Sequence, residues 1–135
     1  MKQLTVDLTI KTPKRECFLD ITQAIQKQID ASGLNEGQVI LFVPHTTAAV
    51  TINENADPDV LRDLILGFEK AFPNRKEFAH LEGNSDAHLK SSMVGVDQTV
   101  LFMEKRLLLG TWQSVFFAEF DGPRTRKIFL RIIGD

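Results

Sequence analysis

The sequence predicts an α+β fold with mainly antiparallel strand pairing, and three observations carry that assignment. A period-two apolar pattern opens the chain in "MKQLTVDLTI", two stretches of helical apolar spacing follow, and three strand-like runs close it. A strict βαβαβ alternation is absent. So is any glycine-rich phosphate loop of the dinucleotide or P-loop type, which removes those two nucleotide folds.

The first strand is expected from Leu4, where Leu4, Val6, Leu8 and Ile10 alternate with Thr5, Asp7 and Thr9. After the turn-like "TPK", the run "RECFLDI" reads as a second strand leading into a helix from about Thr22. Ile21, Ile25 and Ile29 recur every four residues there, and Gly33 supplies a left-handed C-terminal cap. "GQVILFVPHTTAAVTINEN" reads as two strands rich in β-branched residues, joined around Pro44 and His45. Asp57 then caps a second main helix, with Pro58 at its first position and Leu61, Leu64, Ile65, Phe68 and Phe72 at helical spacing until Pro73. From Pro73 to Gly95 no long apolar period survives, but "NSDAHLKSSM" has room for one short helix capped by Asn84 or Ser85. "DQTVLFMEKR", "WQSVFFAEFD" and "RTRKIFLRII" complete the strands. The last two are expected to form a hairpin around Gly122-Pro123.

A chain of 135 residues is expected to form a single domain, residues 1–135, and to bury roughly two-thirds of its unfolded surface. With 43% hydrophobic and 25% charged residues it has the composition of a soluble globular protein. A net charge of -2 offers no broad positive field, so nucleic acid is not an expected partner. Cys17 is the only cysteine and no secretory leader is legible at the start, which makes the cytoplasm the expected compartment. The longest markedly apolar run, "VILFV", is far short of the ~20 residues that span a bilayer, so no membrane role is expected.

Candidate chemistry concentrates in the polar residues. Around a two-residue loop at Gly122-Pro123, Asp121 would face Arg124 and Glu119 would face Arg126, with Phe117 and Val115 on the same side of the sheet. Those four charges are either two cross-strand ion pairs or a grip on phosphate or carboxylate oriented by acids. His45, His80 and His88 are all the histidines, and none lies within an apolar period. Three imidazoles would supply most of a zinc or other divalent site, with Glu82 or Asp86 beside them. Without metal the same groups can move protons or pair with phosphate. A helix beginning after Asn84 would offer unpaired amide hydrogens to an anion, with Lys90 adding charge. Asp86 and Lys90, four apart, either pair on that helix's surface or join the site, with His88 between them at neighbouring angles. Cys17 reads as a small buried residue. Trp112 reads as core, the alternative being that its ring stacks on a planar heterocycle.

Three blocks, "VPHTTAAVTINENADPDV", "HLEGNSDAH.K" and "LLLGTWQSVFFAEFDGPRTR", together resemble the YjbQ-like family, often labelled secondary thiamine-phosphate synthase. The resemblance spans nearly the whole chain in the right order, with Ser85 standing where related members commonly have alanine. It implies two packed, mainly antiparallel sheets in a sandwich-like arrangement, and a homotrimer with sites near subunit boundaries. It also implies one site that gathers the polar blocks. In that site His88, Glu119 and Asp86 would be catalytic. Asn84, Lys90, Trp112, Arg124 and Arg126 would bind a small phosphorylated substrate, and His45, His80 and His88 would hold a divalent metal, zinc or magnesium. The implied reaction joins hydroxymethylpyrimidine diphosphate to a thiazole phosphate and releases diphosphate. The alternative is a homotrimer that binds a divalent metal or phosphate ligand without turnover.

Overall fold

The computed structural model describes residues 1–135, with eight strands and three helices. In chain order they are β1 (Lys2–Lys11), β2 (Cys17–Asp20), α1 (Thr22–Ser32), β3 (Gly37–Phe42), β4 (Ala48–Glu54), α2 (Pro58–Ala71), α3 (Ser85–Val94), β5 (Asp97–Met103), β6 (Arg106–Leu107), β7 (Gln113–Glu119) and β8 (Thr125–Gly134). Five strands make one sheet in the order β1-β8-β3-β5-β6, and three make a second in the order β2-β7-β4, every pairing antiparallel.

The alternation in β1 aims Leu4, Val6, Leu8 and Ile10 at the space between the sheets, where they meet Val39, Leu41, Val50, Val115, Phe117, Ile128, Leu130 and Ile132. α1 closes this core with Ile25 and Ile29, and Gly33 ends the helix at φ 74° in the left-handed region, as its position predicts. The opposite face of the small sheet carries Phe18, Ala49, Phe116, Ala118 and Phe120. Ala87 of α3 and Leu61, Leu64, Ile65 and Phe68 of α2 cover that face. Asp57 caps α2 by accepting from the Asp59 amide at 2.9 Å, with Pro58 at the first position. Cys17 is buried on β2. No helix is long and apolar enough to cross a membrane.

Two expectations change. β7 and β8 do not form a hairpin: Glu119 ends β7 in the three-stranded sheet, and Thr125 begins β8 in the other sheet. Gly122-Pro123, a cis peptide, belongs to the link that crosses between the sheets. "DQTVLFMEKR" is not one strand either. Glu104 and Lys105 adopt φ values of 51° and 64°, and this two-residue turn sends the chain back as β6.

Candidate functional site

Three connections meet at one end of the sandwich and enclose a cleft of about 410 Å³. The β3–β4 link brings His45, Thr46 and Thr47. The segment before α3, with α3 itself, brings His80, Glu82, Asn84 and His88. The β7–β8 link and the start of β8 bring Asp121, Arg124 and Arg126. Apart from Pro44, every residue that lines it is polar or charged. Such a surface suits a hydrated, charged ligand rather than an apolar one.

Beneath the cleft, Glu119 is completely buried and joins the two sheets. Its Oε1 accepts from Thr12 Oγ1 at 2.7 Å and from Arg126 Nε at 2.8 Å, while Oε2 accepts from Arg126 Nη2 and from the Asp121 amide. Burial alone would raise this carboxyl, but the bonds from Arg126, Thr12 and the Asp121 amide bring it below the ordinary carboxylate range. A carboxylate so satisfied fixes Arg126 and has no free lone pair with which to act as a base. Arg126 Nη2 also donates to Thr47 Oγ1 at 2.8 Å, which leaves Nη1 as the guanidinium nitrogen making no bond within the chain. Arg124 is arranged alike: Nε donates to the Asp121 carbonyl at 2.7 Å and Nη2 to Asp121 Oδ2 at 3.0 Å. Both expected charge pairs therefore form, across a sheet-to-sheet link instead of a hairpin.

The three histidines line one cleft, with the His80 and His88 rings 5.3 Å apart in an edge-to-face arrangement. His45 is fixed differently. The Lys127 backbone amide donates to its Nε2 at 2.9 Å, so that nitrogen is unprotonated and the neutral ring carries its proton on Nδ1. Burial, reinforced by Arg126, pushes its pKa below the ordinary histidine value. The three imidazoles do not bring three ligand nitrogens within 4.8 Å of one another. A preformed three-histidine metal centre does not fit this geometry.

Ligand atoms of three acidic side chains converge elsewhere, at Glu16, Glu69 and Asp86, and Lys90 already fills that nest. Its ammonium bonds to Glu16 Oε1 and to Glu69 Oε2 at 2.6 Å and lies 3.8 Å from Asp86, which Arg15 Nη2 also contacts at 3.1 Å. Burial would lower the lysine pKa, but the bonds it donates to Glu16 and Glu69 raise it above its ordinary value. Lys90 is thus a buried structural cation instead of a phosphate ligand, and Asp86 is its buried neighbour instead of a cleft acid. His88 is not at a neighbouring angle. Two helical residues span about 200°, so Asp86 and Lys90 share one face of α3 and His88 faces the other way, into the cleft.

Trp112 is 62% exposed and belongs neither to the core nor to the cleft. It precedes β7, whose seven residues separate it from Glu119 by about 20 Å. The expected set therefore divides. His45, His80, His88, Asn84, Arg124 and Arg126 line the cleft, Glu119 lies under it, and Asp86, Lys90 and Trp112 are elsewhere. Sequence reasoning missed Arg15, Glu16 and Glu69 as partners of Lys90, and Thr47 and Thr12 as partners of the Arg126–Glu119 pair.

These features define a two-sheet α+β domain with a polar cleft where the β3–β4, α2–α3 and β7–β8 links meet. The chain belongs to the family described as "UPF0047 protein YjbQ-like", whose family model matches residues 6–135. The UPF0047 protein of Methanocaldococcus jannaschii is 54% identical over 126 residues, which cover 93% of this chain and 91% of that protein. YugU of Bacillus subtilis is 47% identical over 128 residues, or 94% of this chain and 97% of that one. A YjbQ/UPF0047-family crystal structure from Clostridium acetobutylicum superposes with a TM-score of 0.92 at 48% identity, covering 95% of this chain and 99% of that one. A YbjQ-like protein from Sulfolobus solfataricus superposes with a TM-score of 0.93 at 29% identity, covering 99% of each chain.

Proposed function

We propose that this chain is an enzyme acting on small phosphorylated substrates in the polar cleft, with thiamine-phosphate synthesis among the reactions it supports. The observation that carries this reading is the state of the two arginines. Arg126 is held through Nε and Nη2 by the Glu119 carboxylate, Arg124 through Nε by the Asp121 carbonyl and through Nη2 by the Asp121 carboxylate, and each lines the cleft with Nη1 unengaged. Two N–H₂ groups are therefore oriented before a ligand arrives, and a phosphate oxygen meets them with little loss of side-chain freedom. Joining hydroxymethylpyrimidine diphosphate to thiazole phosphate breaks a carbon–oxygen bond whose electron pair leaves with diphosphate. Directed donors stabilise that developing charge.

His88 handles protons in this reading, since Glu119 and Asp86 are occupied by cations and His88 faces the cleft. A cytoplasmic homotrimer with the cleft near a subunit boundary is part of the same proposal. The outer face of the five-stranded sheet supports it, since Phe42 and Phe129 lie side by side there and Leu101 and Met103 are also exposed. A divalent ion, zinc or magnesium, enters only as a counter-ion arriving with diphosphate, because the three histidines do not converge. Incubating the purified protein with both phosphate substrates is expected to yield thiamine phosphate, with His88→Ala lowering the rate about 100-fold or more. Unchanged turnover by the variant would remove His88 from the chemistry.

A second reading, phosphate binding without turnover, is favoured by one observation: two of the three acid–base candidates, Asp86 and Glu119, are locked in ion pairs. Calorimetric phosphate binding with no product in the coupled assay would select it.

A further inference from the structure

Asn84 Oδ1 is the only buried side-chain nitrogen or oxygen in the chain that has no hydrogen-bond partner. The residue is 8% exposed and belongs to the wall of the cleft. It stands at the N-cap of α3, where an asparagine oxygen ordinarily accepts from the first turn, yet it makes no such bond. Its amide is pinned the other way. Nδ2 donates to Asp121 Oδ2 at 2.7 Å, and a carboxylate only accepts, so nitrogen must face Asp121 and oxygen is the end left over. A buried acceptor without a donor is unfavourable, and native proteins tolerate few of them. An orphan on the wall of a polar cleft is an acceptor waiting for a donor.

We propose that Asn84 is a specificity-determining residue of the cleft, its Oδ1 accepting a hydrogen bond from an O–H or N–H group on the non-phosphate part of the ligand. The inference rests on the phosphate reading above and deepens it: the ligand class becomes a phosphate ester that also carries a neutral hydrogen-bond donor. One carboxylate links the two halves of such a ligand. Asp121 Oδ2 accepts from both Asn84 Nδ2 and Arg124 Nη2. A phosphate that draws Arg124 toward itself loosens the group that holds the Asn84 amide closed, and the amide turns its oxygen to the donor. Phosphate binding and donor reading are coupled through Asp121.

The test compares alkyl phosphates with hydroxyalkyl phosphates of two- to four-carbon chains by calorimetry, on the full-length protein. At least one hydroxyalkyl phosphate is expected to bind about 5-fold to 10-fold tighter than its alkyl counterpart, the range one new hydrogen bond supplies. Asn84→Ala should erase that preference, bringing each hydroxyalkyl phosphate to the affinity of its alkyl counterpart. Asp121→Asn offers the Asn84 amide a partner that both donates and accepts, so it should shrink the preference even if Asn84→Ala fails to fold. An equal loss for both ligand series in Asn84→Ala, an undiminished preference in either variant, or no preference in the native protein overturns the role of Asn84 and leaves the phosphate cleft standing. Failure of the native protein to bind any of these phosphates overturns the phosphate reading itself, and this inference with it.

Discussion

Arg126 and Glu119 are seven residues apart in the chain and lie in different sheets, yet they form a buried, two-point ion pair between β8 and β7. The pair fastens the two sheets at the end where the cleft opens, and it sets the one guanidinium nitrogen left for a ligand. Glu119→Gln removes the charge and leaves Arg126 as an uncompensated buried cation, which is expected to cost about 3–5 kcal/mol. A thermal melt should fall by roughly 10 °C or more. The acid limb should change as well. The Glu119 carboxyl is lowered from its ordinary value of 4.5, so its contribution is full above that pH and is lost as pH falls through the lower native value. The variant should lack that portion of acid sensitivity, which a melt series from pH 7 to pH 3 would read.

His88 and Lys90 face opposite sides of α3, and their substitutions should separate accordingly. Lys90→Met leaves Glu16, Glu69 and Asp86 crowded around an uncharged side chain, with an expected loss of about 3–5 kcal/mol at pH 7. Part of that loss should return as pH is lowered toward 5, because the crowded carboxylates then take up protons. His88→Ala should change stability by less than about 1 kcal/mol while lowering turnover about 100-fold or more. Urea unfolding of both variants at pH 7 and pH 5 distinguishes the two roles.

His45 is expected to be the Nδ1–H tautomer at neutral pH, visible by nitrogen-correlated NMR, with a titration midpoint below its ordinary value of 6.5. The native state resists protonation because the ring is buried and lies near the Arg126 guanidinium. A histidine with a depressed native pKa contributes a stability that is full above the unfolded value and is lost as pH falls through the native one. His45→Phe should therefore flatten the stability profile between about pH 7 and pH 5. Because Nε2 is occupied by the Lys127 amide, chelators are expected to leave phosphate binding intact, which calorimetry with and without a chelator checks.

Much of this was legible in the sequence where periodicity governs structure. The alternation of Leu4 to Ile10, the four-residue recurrence of Ile21 to Ile29 and the Asp57-Pro58 start of α2 each name an element that the structure contains. The hairpin at Gly122-Pro123 was misread because two strands with a short link look alike whether they pair or cross between sheets. Only the placement of β8 between β1 and β3 decides it. Glu119 with Arg126 was found for the right residues by the wrong connection. Lys90 could have been set apart from His88 by helical angle alone, whereas Glu16 and Glu69, 74 and 21 residues away from it, carried no local signal. Trp112 was misjudged since a lone tryptophan is ordinarily buried, and its exposed setting depends on where β7 begins.

Gly122 explains why the crossing link takes its path, and its substitution offers the sharpest separation between fold and site. A Cβ there would stand 2.2 Å from the Lys14 carbonyl oxygen, 2.8 Å from Thr12 Oγ1 and 2.9 Å from Glu119 Cγ. The first contact is with backbone and cannot rotate away, so Gly122→Ala must push the link off the β1–β2 connection. That displacement pulls on Thr12 and Glu119 together, and through them on Arg126. The expected cost is about 1–3 kcal/mol from overpacking, accompanied by a loss of phosphate affinity as the guanidinium shifts. Gly33→Ala is the matched control. Its Cβ meets nothing within 4 Å, but its φ of 74° is unfavourable for alanine, at about 1–2 kcal/mol. If both glycine variants melt lower but only Gly122→Ala binds phosphate more weakly, the β7–β8 link sets the cleft geometry. Equal phosphate affinity in the two would mean that the arginines hold their positions independently of that link.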